Sequence, residues 1–116
     1  MLTMNEDLGG ALASFVQAME QKRYFEAHEI LEEAWHPLRI RKDRMALLLK
    51  GMINGAIALE HLKRATPNAQ IKAERVVEAY YRYKPLLQEA THYQKAFKEA
   101  MQTIDAHLIQ SGLANT

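Results

Sequence analysis

The chain has 116 residues, a net charge of +1, 48% hydrophobic residues and no cysteine, which fits a single domain able to bury its own apolar core. The near-neutral charge gives no general attraction to nucleic acid or to a membrane surface, and no apolar run approaches the roughly 20 residues that cross a bilayer. The absence of cysteine excludes thiolate zinc sites, cysteine nucleophiles and disulfides, and it fits a reducing compartment. We therefore expect one cytoplasmic domain over residues 1–116, with no membrane partner and little to favour nucleic acid.

Helical periodicity predicts the first two elements. Glycine and proline are few, and no alternating β-branched segment occurs, so the pattern indicates an all-α fold. The first helix is predicted over residues 5–21 and the second over 24–36. Pro37 should end the second helix, because the residue before a proline is disfavoured in helical geometry.

A basic connector follows the second helix. Without interleaved aromatic residues, we interpret it as a solvated loop rather than a nucleic-acid site, with Asp43 capping the next helix. Its cations are Arg39, Arg41, Lys42 and Arg44.

The third helix, predicted over 43–64, is apolar on almost every side and should lie at the centre of the fold. Three small residues on one face should let another helix approach closely. They are Gly51, Gly55 and Ala58. A polar stripe runs opposite, formed by Lys50, Asn54 and His61. The short connector predicts that helices 24–36 and 43–64 form an antiparallel central pair, which brings His61 level with His28.

Two further helices complete a predicted bundle of about five. The fourth is expected over 67–84, starting at Thr66-Pro67 and ending before Pro85. The fifth is expected over 91–110 with Thr91 as its cap, and Gly112 should end it before a frayed tail at 111–116. We interpret the tyrosines of the fourth helix as the edge of the core or a subunit interface, and His36, His92 and His107 as surface residues.

The candidate site lies on the second helix, where His28 and Glu32 fall on the apolar arc at about 100° per residue. Burying an unpaired carboxylate costs several kcal/mol, on the order of the whole stability of a small domain. Glu32 would therefore need a partner. In one interpretation the pair hydrogen-bonds to a neighbouring helix and fixes the packing. In the other, imidazole and carboxylate are two ligands of a divalent metal.

Two stretches of the chain resemble a known family. They read YFEAHEILEEAW over residues 24–35 and LLKGMINGAIALEH over residues 48–61. Together they are similar to the small helical family catalogued as domain of unknown function 309. Its motifs are a His, three residues, two Glu and a nearby aromatic residue, followed by a helix of the pattern LLxGxIxxAxALxH. The resemblance covers about residues 10–90 and none of the last helix.

The resemblance implies an all-helical protein whose His-Glu-Glu motif has been suggested to bind metal, and related sequences are labelled predicted metal-dependent hydrolases. Asn54 stands where the family usually has glutamine, which shortens one polar arm. The matching positions of the first motif are His28, Glu32, Glu33 and Trp35, and His61 matches the second.

Two functions therefore compete, and whether the chain is an enzyme stays open. We favour a helical interaction module, a homo-oligomer, in which a buried polar cluster fixes how the helices pair. That cluster would comprise His28, Glu32, Trp35, Asn54 and His61. In the alternative, His28, Glu32 and His61 bind zinc, manganese or iron, and Glu33 is the general base of a hydrolase acting on an unknown small-molecule substrate.

Overall fold

The computed structural model describes residues 4–114, with side chains from Leu8 onward. Five α-helices and one short 3-10 helix account for nearly all of this stretch, and no strand occurs in it. They are α1 (Met4–Glu20), α2 (Tyr24–Ile40), α3 (Met45–Arg64), α4 (Ala69–Tyr83), the 3-10 helix Lys84–Glu89, and α5 (Gln94–Ser111). The predicted all-α bundle is confirmed.

The helices form two layers. α3 packs most extensively against α4 and then against α2, and it also contacts α5, while α1 contacts α2 and α5. The layer of α2, α3 and α4 is therefore covered on one side by α1 and α5. The apolar core between the layers includes the wholly buried side chains of Phe15, Leu31, Met52, Tyr80 and Ile104.

α3 is the central helix, as its composition predicts, and ten of its residues are buried. Contrary to the sequence expectation, it is long and apolar enough to cross a membrane by length and composition. A core helix of a helical bundle passes the same test, and most of the apolar side chains of α3 are enclosed by the neighbouring helices.

The predicted antiparallel pair of α2 and α3 is present. The start of α2 lies beside the end of α3, where the Arg64 guanidinium is 5.5 Å from the centre of the Phe25 ring. The end of α2 lies beside the start of α3, where Trp35 and Leu47 line one depression.

The small-residue face of α3 receives α4. A Cβ atom on Gly51 would lie 3.0 Å from the carbonyl oxygen of Ala79 and 3.3 Å from the Cα of Tyr80, and one on Gly55 would lie 3.1 Å from Ile104 Cγ2. Glycine therefore permits the close approach of the α4 backbone and of α5, as the sequence predicts.

The prediction that Pro37 ends α2 is wrong, because the helix continues to Ile40. A proline inside a helix loses one hydrogen bond and crowds the carbonyl of the preceding turn, at a cost of about 3 kcal/mol. Continuing the helix nevertheless places Leu38, 3% exposed, in the core. The turn after Ile40 stops the helix, because Lys42 has a left-handed φ of 59° and Asp43 N–H donates to the Leu38 carbonyl at 3.0 Å. Asp43 Oδ1 then accepts a hydrogen bond from Met45 N–H at 2.9 Å, the expected cap of α3.

Two other boundaries differ from the predictions. α4 begins at Ala69, after a left-handed Asn68, rather than at Pro67. α5 begins at Gln94 after a left-handed Tyr93 and has no side-chain cap, so the capping role predicted for Thr91 is wrong. Gly112 ends α5 with a φ of 85° as expected. The chain continues as a hydrogen-bonded turn to Ala114, and residues 115–116 of the predicted tail lie outside the described part.

Candidate functional site

The buried side of α2 is formed by Tyr24, Ala27, Leu31, Ala34 and Leu38. His28 and Glu32 follow one position later, which turns them about 100° away from this line. Their side chains are accordingly 15% and 56% exposed. The expectation that Glu32 is buried is wrong. The apolar arc of α2 lies about one residue, or 100°, away from its predicted position, and an exposed carboxylate needs no compensating partner.

His28 has a defined orientation at the rim of the bundle. Its Nδ1 lies 2.7 Å from the carbonyl oxygen of Phe25, one turn earlier on the same helix. A backbone carbonyl can accept a hydrogen bond but cannot donate one, so Nδ1 must carry the proton. In the neutral ring, Nε2 therefore has a free lone pair. Nε2 lies 3.4 Å from Glu32 Oε2. The pair thus presents one imidazole nitrogen and one carboxylate oxygen side by side.

α3 carries a second line of residues next to this pair. Leu47, Asn54, Ile57 and His61 are half-buried and Lys50 is exposed, whereas ten other residues of the helix are buried. These positions repeat at three or four residues, so they share one side of α3. They point away from α1 and α5, and no described helix covers them fully.

We call the surface formed by these two lines the open face. None of its residues is fully buried. From α2 it includes Phe25, His28, Glu32, Trp35 and Arg39, and from α3 it includes Leu47, Lys50, Asn54, Ile57 and His61. The five residues predicted to form a buried polar cluster thus lie on one surface, where the helices are already packed without them.

One end of the open face, the histidine half, brings His28 and His61 together as predicted. They line a depression of about 220 Å³. Its full lining is Phe25, His28, Ile57, Glu60, His61 and Arg64. Glu60 is paired with Arg64 across one turn of α3. Asn54 does not line this depression, and its amide donates to the Lys50 carbonyl at 3.0 Å.

The other end of the open face, the basic half, contains Trp35 of α2 and the start of α3. It is about ten residues along α3 from the histidine half. A larger depression of about 520 Å³ is lined there by Trp35, Arg39, Lys42, Asp43, Arg44, Ala46, Leu47 and Lys50. The guanidinium of Arg39 lies 5.2 Å from the centre of the Trp35 ring. The connector itself contains no aromatic residue, as predicted, but Trp35 precedes Arg39 by one helical turn. That spacing was the signal that could have found this site.

Glu33, the candidate general base, is exposed on α2. It lies five residues after His28, so the two side chains are separated by about 140° around the helix axis. His36 and His92 are exposed, in line with their interpretation as surface residues. The described residues contain no cluster of three or more His, Asp or Glu side chains close enough to hold a metal ion.

Three polar contacts elsewhere were not predicted from the sequence. The Tyr24 hydroxyl lies 2.8 Å from His107 Nδ1, which makes His107 a partner rather than a simple surface residue. Tyr80 is wholly buried, and its hydroxyl donates to Asp105 Oδ1 at 2.7 Å, while Lys84 Nζ donates to Asp105 Oδ2 at 2.9 Å. Burial, aided by Asp105, raises the pKa of Tyr80 far above its usual range. These contacts tie the helices together and lie away from the open face.

Comparison with known proteins gives one match. The family described as "Domain of unknown function (DUF309)" matches residues 12–72, just over half of the chain. The matched stretch contains α2 and α3 entire, and therefore both halves of the open face, while α5 lies outside it. No curated protein and no solved structure matches the chain.

Proposed function

This chain belongs to the DUF309 family, and we propose that it is a helical interaction module that pairs with a second copy of itself through the histidine half of the open face. The observation that carries the proposal is the position of the motif residues. They lie on a surface that the fold leaves open, although α3, which supplies half of it, is otherwise the most enclosed helix of the bundle.

The composition of the histidine half supports an interface. Phe25 is 48% exposed and borders a depression that also contains the half-buried Ile57. Large exposed aromatic residues beside half-buried aliphatic ones are typical of interface centres, where they fill pockets on the partner. In a dimer, the exposed phenyl ring of Phe25 would be buried in the depression of the second copy.

The charges of the same region fit pairing between identical copies. A two-fold interface places the same surface on both sides, so it must be complementary to itself. The histidine half offers Glu32 and Glu60 beside His28, His61 and Arg64. Acidic and basic groups on one small surface can therefore meet their opposites across a two-fold axis.

The test measures the mass of the wild-type chain in solution over a wide concentration range, beside Phe25→Ser and Ile109→Ser. The two residues are matched in exposure, 48% and 40%, but Ile109 lies on α5 in the opposite layer. We expect dimers for the wild type and Ile109→Ser, and monomers for Phe25→Ser with an unchanged circular dichroism spectrum. A wild type that is monomeric at every concentration, or two variants that dissociate equally, would overturn the proposal.

A second candidate function, divalent metal binding, rests on the geometry of His28 and Glu32. Atoms that bind one zinc or manganese ion at about 2.0–2.2 Å are separated by roughly 3–3.5 Å, and Nε2 and Oε2 are 3.4 Å apart. The proton on Nδ1, fixed by the Phe25 carbonyl, leaves Nε2 available as a ligand. One chain supplies this pair, and pairing through the histidine half would add the same two groups from a second copy.

Elemental analysis of protein purified without chelator or histidine tag tests the metal proposal. We expect zinc, manganese or iron in the wild type, at about one ion for each two chains if the copies share it, and none in His28→Ala. Metal at equal content in His28→Ala, or none in either protein after equilibration with zinc, would overturn it. Because the mass measurement is separate, loss of the metal proposal leaves the pairing proposal standing.

A hydrolase would need more than this pair. A general base must reach the water that it activates, and Glu33 is directed about 140° away from His28 around the helix. We therefore propose binding without a reaction. The absence of cysteine fits a reducing compartment, and on that ground alone we propose a cytoplasmic location.

A further inference from the structure

The basic half of the open face combines a concave surface with an excess of positive charge. Four basic residues and one acidic residue line its depression of about 520 Å³. A volume of roughly 300–1,000 Å³ is usual for the binding site of a small organic ligand. The basic half is therefore large enough to hold one.

Part of this charge is already used within the protein. Arg44 donates two hydrogen bonds to the carboxylate of Glu89, at 2.7 and 3.1 Å. Asp43 Oδ1 caps α3, and Asp43 Oδ2 lies 3.8 Å from Arg41. The acidic groups near the depression are thus occupied.

Three cations are left without an acidic partner among the described side chains. Arg39, Lys42 and Lys50 make no ion pair there. They reach the depression from the end of α2, the connector and the start of α3. Cations that converge on one concave surface from three segments attract an anion with several negative oxygens, such as a phosphate ester.

The rest of the lining suits a planar ring. Trp35 borders the depression together with Ala46 and Leu47. The Trp35 indole is half-buried and presents an aromatic surface, and stacking of a base on such a surface contributes about 1–3 kcal/mol. The Arg39 guanidinium lies over the indole, 5.2 Å from its centre, so a planar ligand ring would stack beside this guanidinium or take its place.

We propose that the basic half binds a small molecule that combines a planar ring with phosphate groups, of which a mononucleotide is the simplest example. The ring would stack on Trp35, and the phosphates would be held by Arg39, Lys42 and Lys50. The depression has room for one such molecule. A nucleic-acid strand would need a longer basic track, and the net charge of the whole chain is only +1. The proposal does not depend on pairing of two copies, which uses the other half of the face.

The chain offers its own reporter for the test, because Trp35 is its single tryptophan. Tryptophan fluorescence and calorimetry are followed while ADP, AMP, adenosine or inorganic phosphate is added to the full-length protein. We expect ADP to quench the fluorescence and to bind more tightly than AMP. Adenosine alone and phosphate alone should each bind at least about tenfold more weakly than ADP, because each makes only part of the contacts.

Charge variants show whether the binding occurs in the basic half. Lys42→Gln combined with Lys50→Gln removes two exposed cations there, and we expect the Kd for ADP to rise about tenfold. The matched control, Lys95→Gln with Lys98→Gln, removes two exposed cations from α5 in the opposite layer. It should leave the Kd within about twofold of the wild type. Equal weakening in the two double variants would overturn the assignment of the site.

Three other outcomes would also overturn the proposal. Binding of phosphate as tight as that of ADP would mean that the ring makes no contact. Affinity for single-stranded oligonucleotides that rises with their length would show a nucleic-acid surface instead. If ADP at millimolar concentration produces neither heat nor fluorescence quenching, the basic half holds no nucleotide.

Discussion

The two sides of α3 have opposite character. On the side facing α4, Gly51 lets the helices approach so closely that a single added carbon would meet backbone atoms at 3.0 Å. On the open face, the same helix carries Asn54 and Ile57 half-buried, and no helix among the described residues covers them fully. The glycine side is therefore where the fold is fixed, and the open face is where substitutions should alter binding and leave the fold intact.

The largest expected effect on stability is at the glycine side. Gly51→Ala should lower the free energy of unfolding by about 1–3 kcal/mol, because its Cβ would push against the backbone of α4, where Ala79 O and Tyr80 Cα lie at 3.0 and 3.3 Å. Gly10→Ala is the control, since a Cβ there meets nothing within 4 Å. It should raise stability by about 0.5–1 kcal/mol through helix propensity alone. Urea denaturation measures both, and equal stabilisation by the two substitutions would disprove the close contact.

A smaller loss is expected from Tyr80→Phe, on α4. The substitution removes the hydroxyl that donates to Asp105 Oδ1 and lies 3.1 Å from the Met101 carbonyl. The hydrogen bond to Asp105 is only partly buried, because the Asp105 side chain is 33% exposed, so its loss should cost about 0.5–1.5 kcal/mol while the aromatic ring stays in place. Tyr81→Phe, at a side chain that is 42% exposed, should change stability by less than about 0.5 kcal/mol. Thermal or urea unfolding of the two variants measures the difference between them. Equal stabilities would show that the Tyr80 hydroxyl does not stabilise the fold.

The sequence predicted part of the contrast between the glycine side and the open face of α3. Helical spacing and the scarcity of glycine and proline predicted the bundle, and the small residues of α3 predicted the close approach of another helix. Such predictions succeed because each depends on a local pattern that a single helix must satisfy. The end of α2 was predicted wrongly because a local rule about Pro37 was outweighed by the burial of Leu38, which depends on the other helices.

The candidate site was harder to predict, for a reason of geometry. A carboxylate at the edge of an apolar arc can be buried or exposed, and a shift of about 100°, one residue, decides between them. Glu32 lies on the exposed side of that edge. The contact between Trp35 and the connector cations required knowing that α2 continues past Pro37, since Arg39 is placed over the indole only by a helical turn.

A pH effect smaller than that of Tyr80→Phe is expected at His107, in the layer behind α3. Burial, with repulsion from Lys22, lowers the pKa of His107 below its usual 6.5, and Glu20 opposes this shift. In the neutral ring, His107 Nδ1 accepts a hydrogen bond from the Tyr24 hydroxyl, and Lys63 lines the same depression.

The sign follows from proton binding. As the pH falls below 6.5, the unfolded chain takes up a proton on His107 before the folded chain does, so stability decreases until the lower folded pKa is passed and then levels off. Melting temperatures measured from about pH 7.5 to about pH 5 should therefore fall less for His107→Gln than for the wild type. His92→Gln, at an exposed histidine, should keep the wild-type slope. An unchanged slope in His107→Gln would contradict the assignment.

The smallest effect on stability is expected at the open face. It distinguishes a Glu32 carboxylate buried in a polar cluster from one exposed on the surface. If Glu32 were part of a buried polar cluster, removing its charge would cost about 3–5 kcal/mol, because a buried partner would be left uncompensated. Its side chain is 56% exposed and lies 3.4 Å from His28 Nε2, and an exposed pair contributes less than about 1 kcal/mol. At dilutions where the chain is monomeric, Glu32→Gln should therefore unfold in urea with nearly the wild-type midpoint, as should Glu33→Gln, its exposed neighbour. A loss of several kcal/mol in Glu32→Gln alone under these conditions would show that the carboxylate is buried within the fold. Equal midpoints would leave the motif free to act in binding, because the fold does not need its charge.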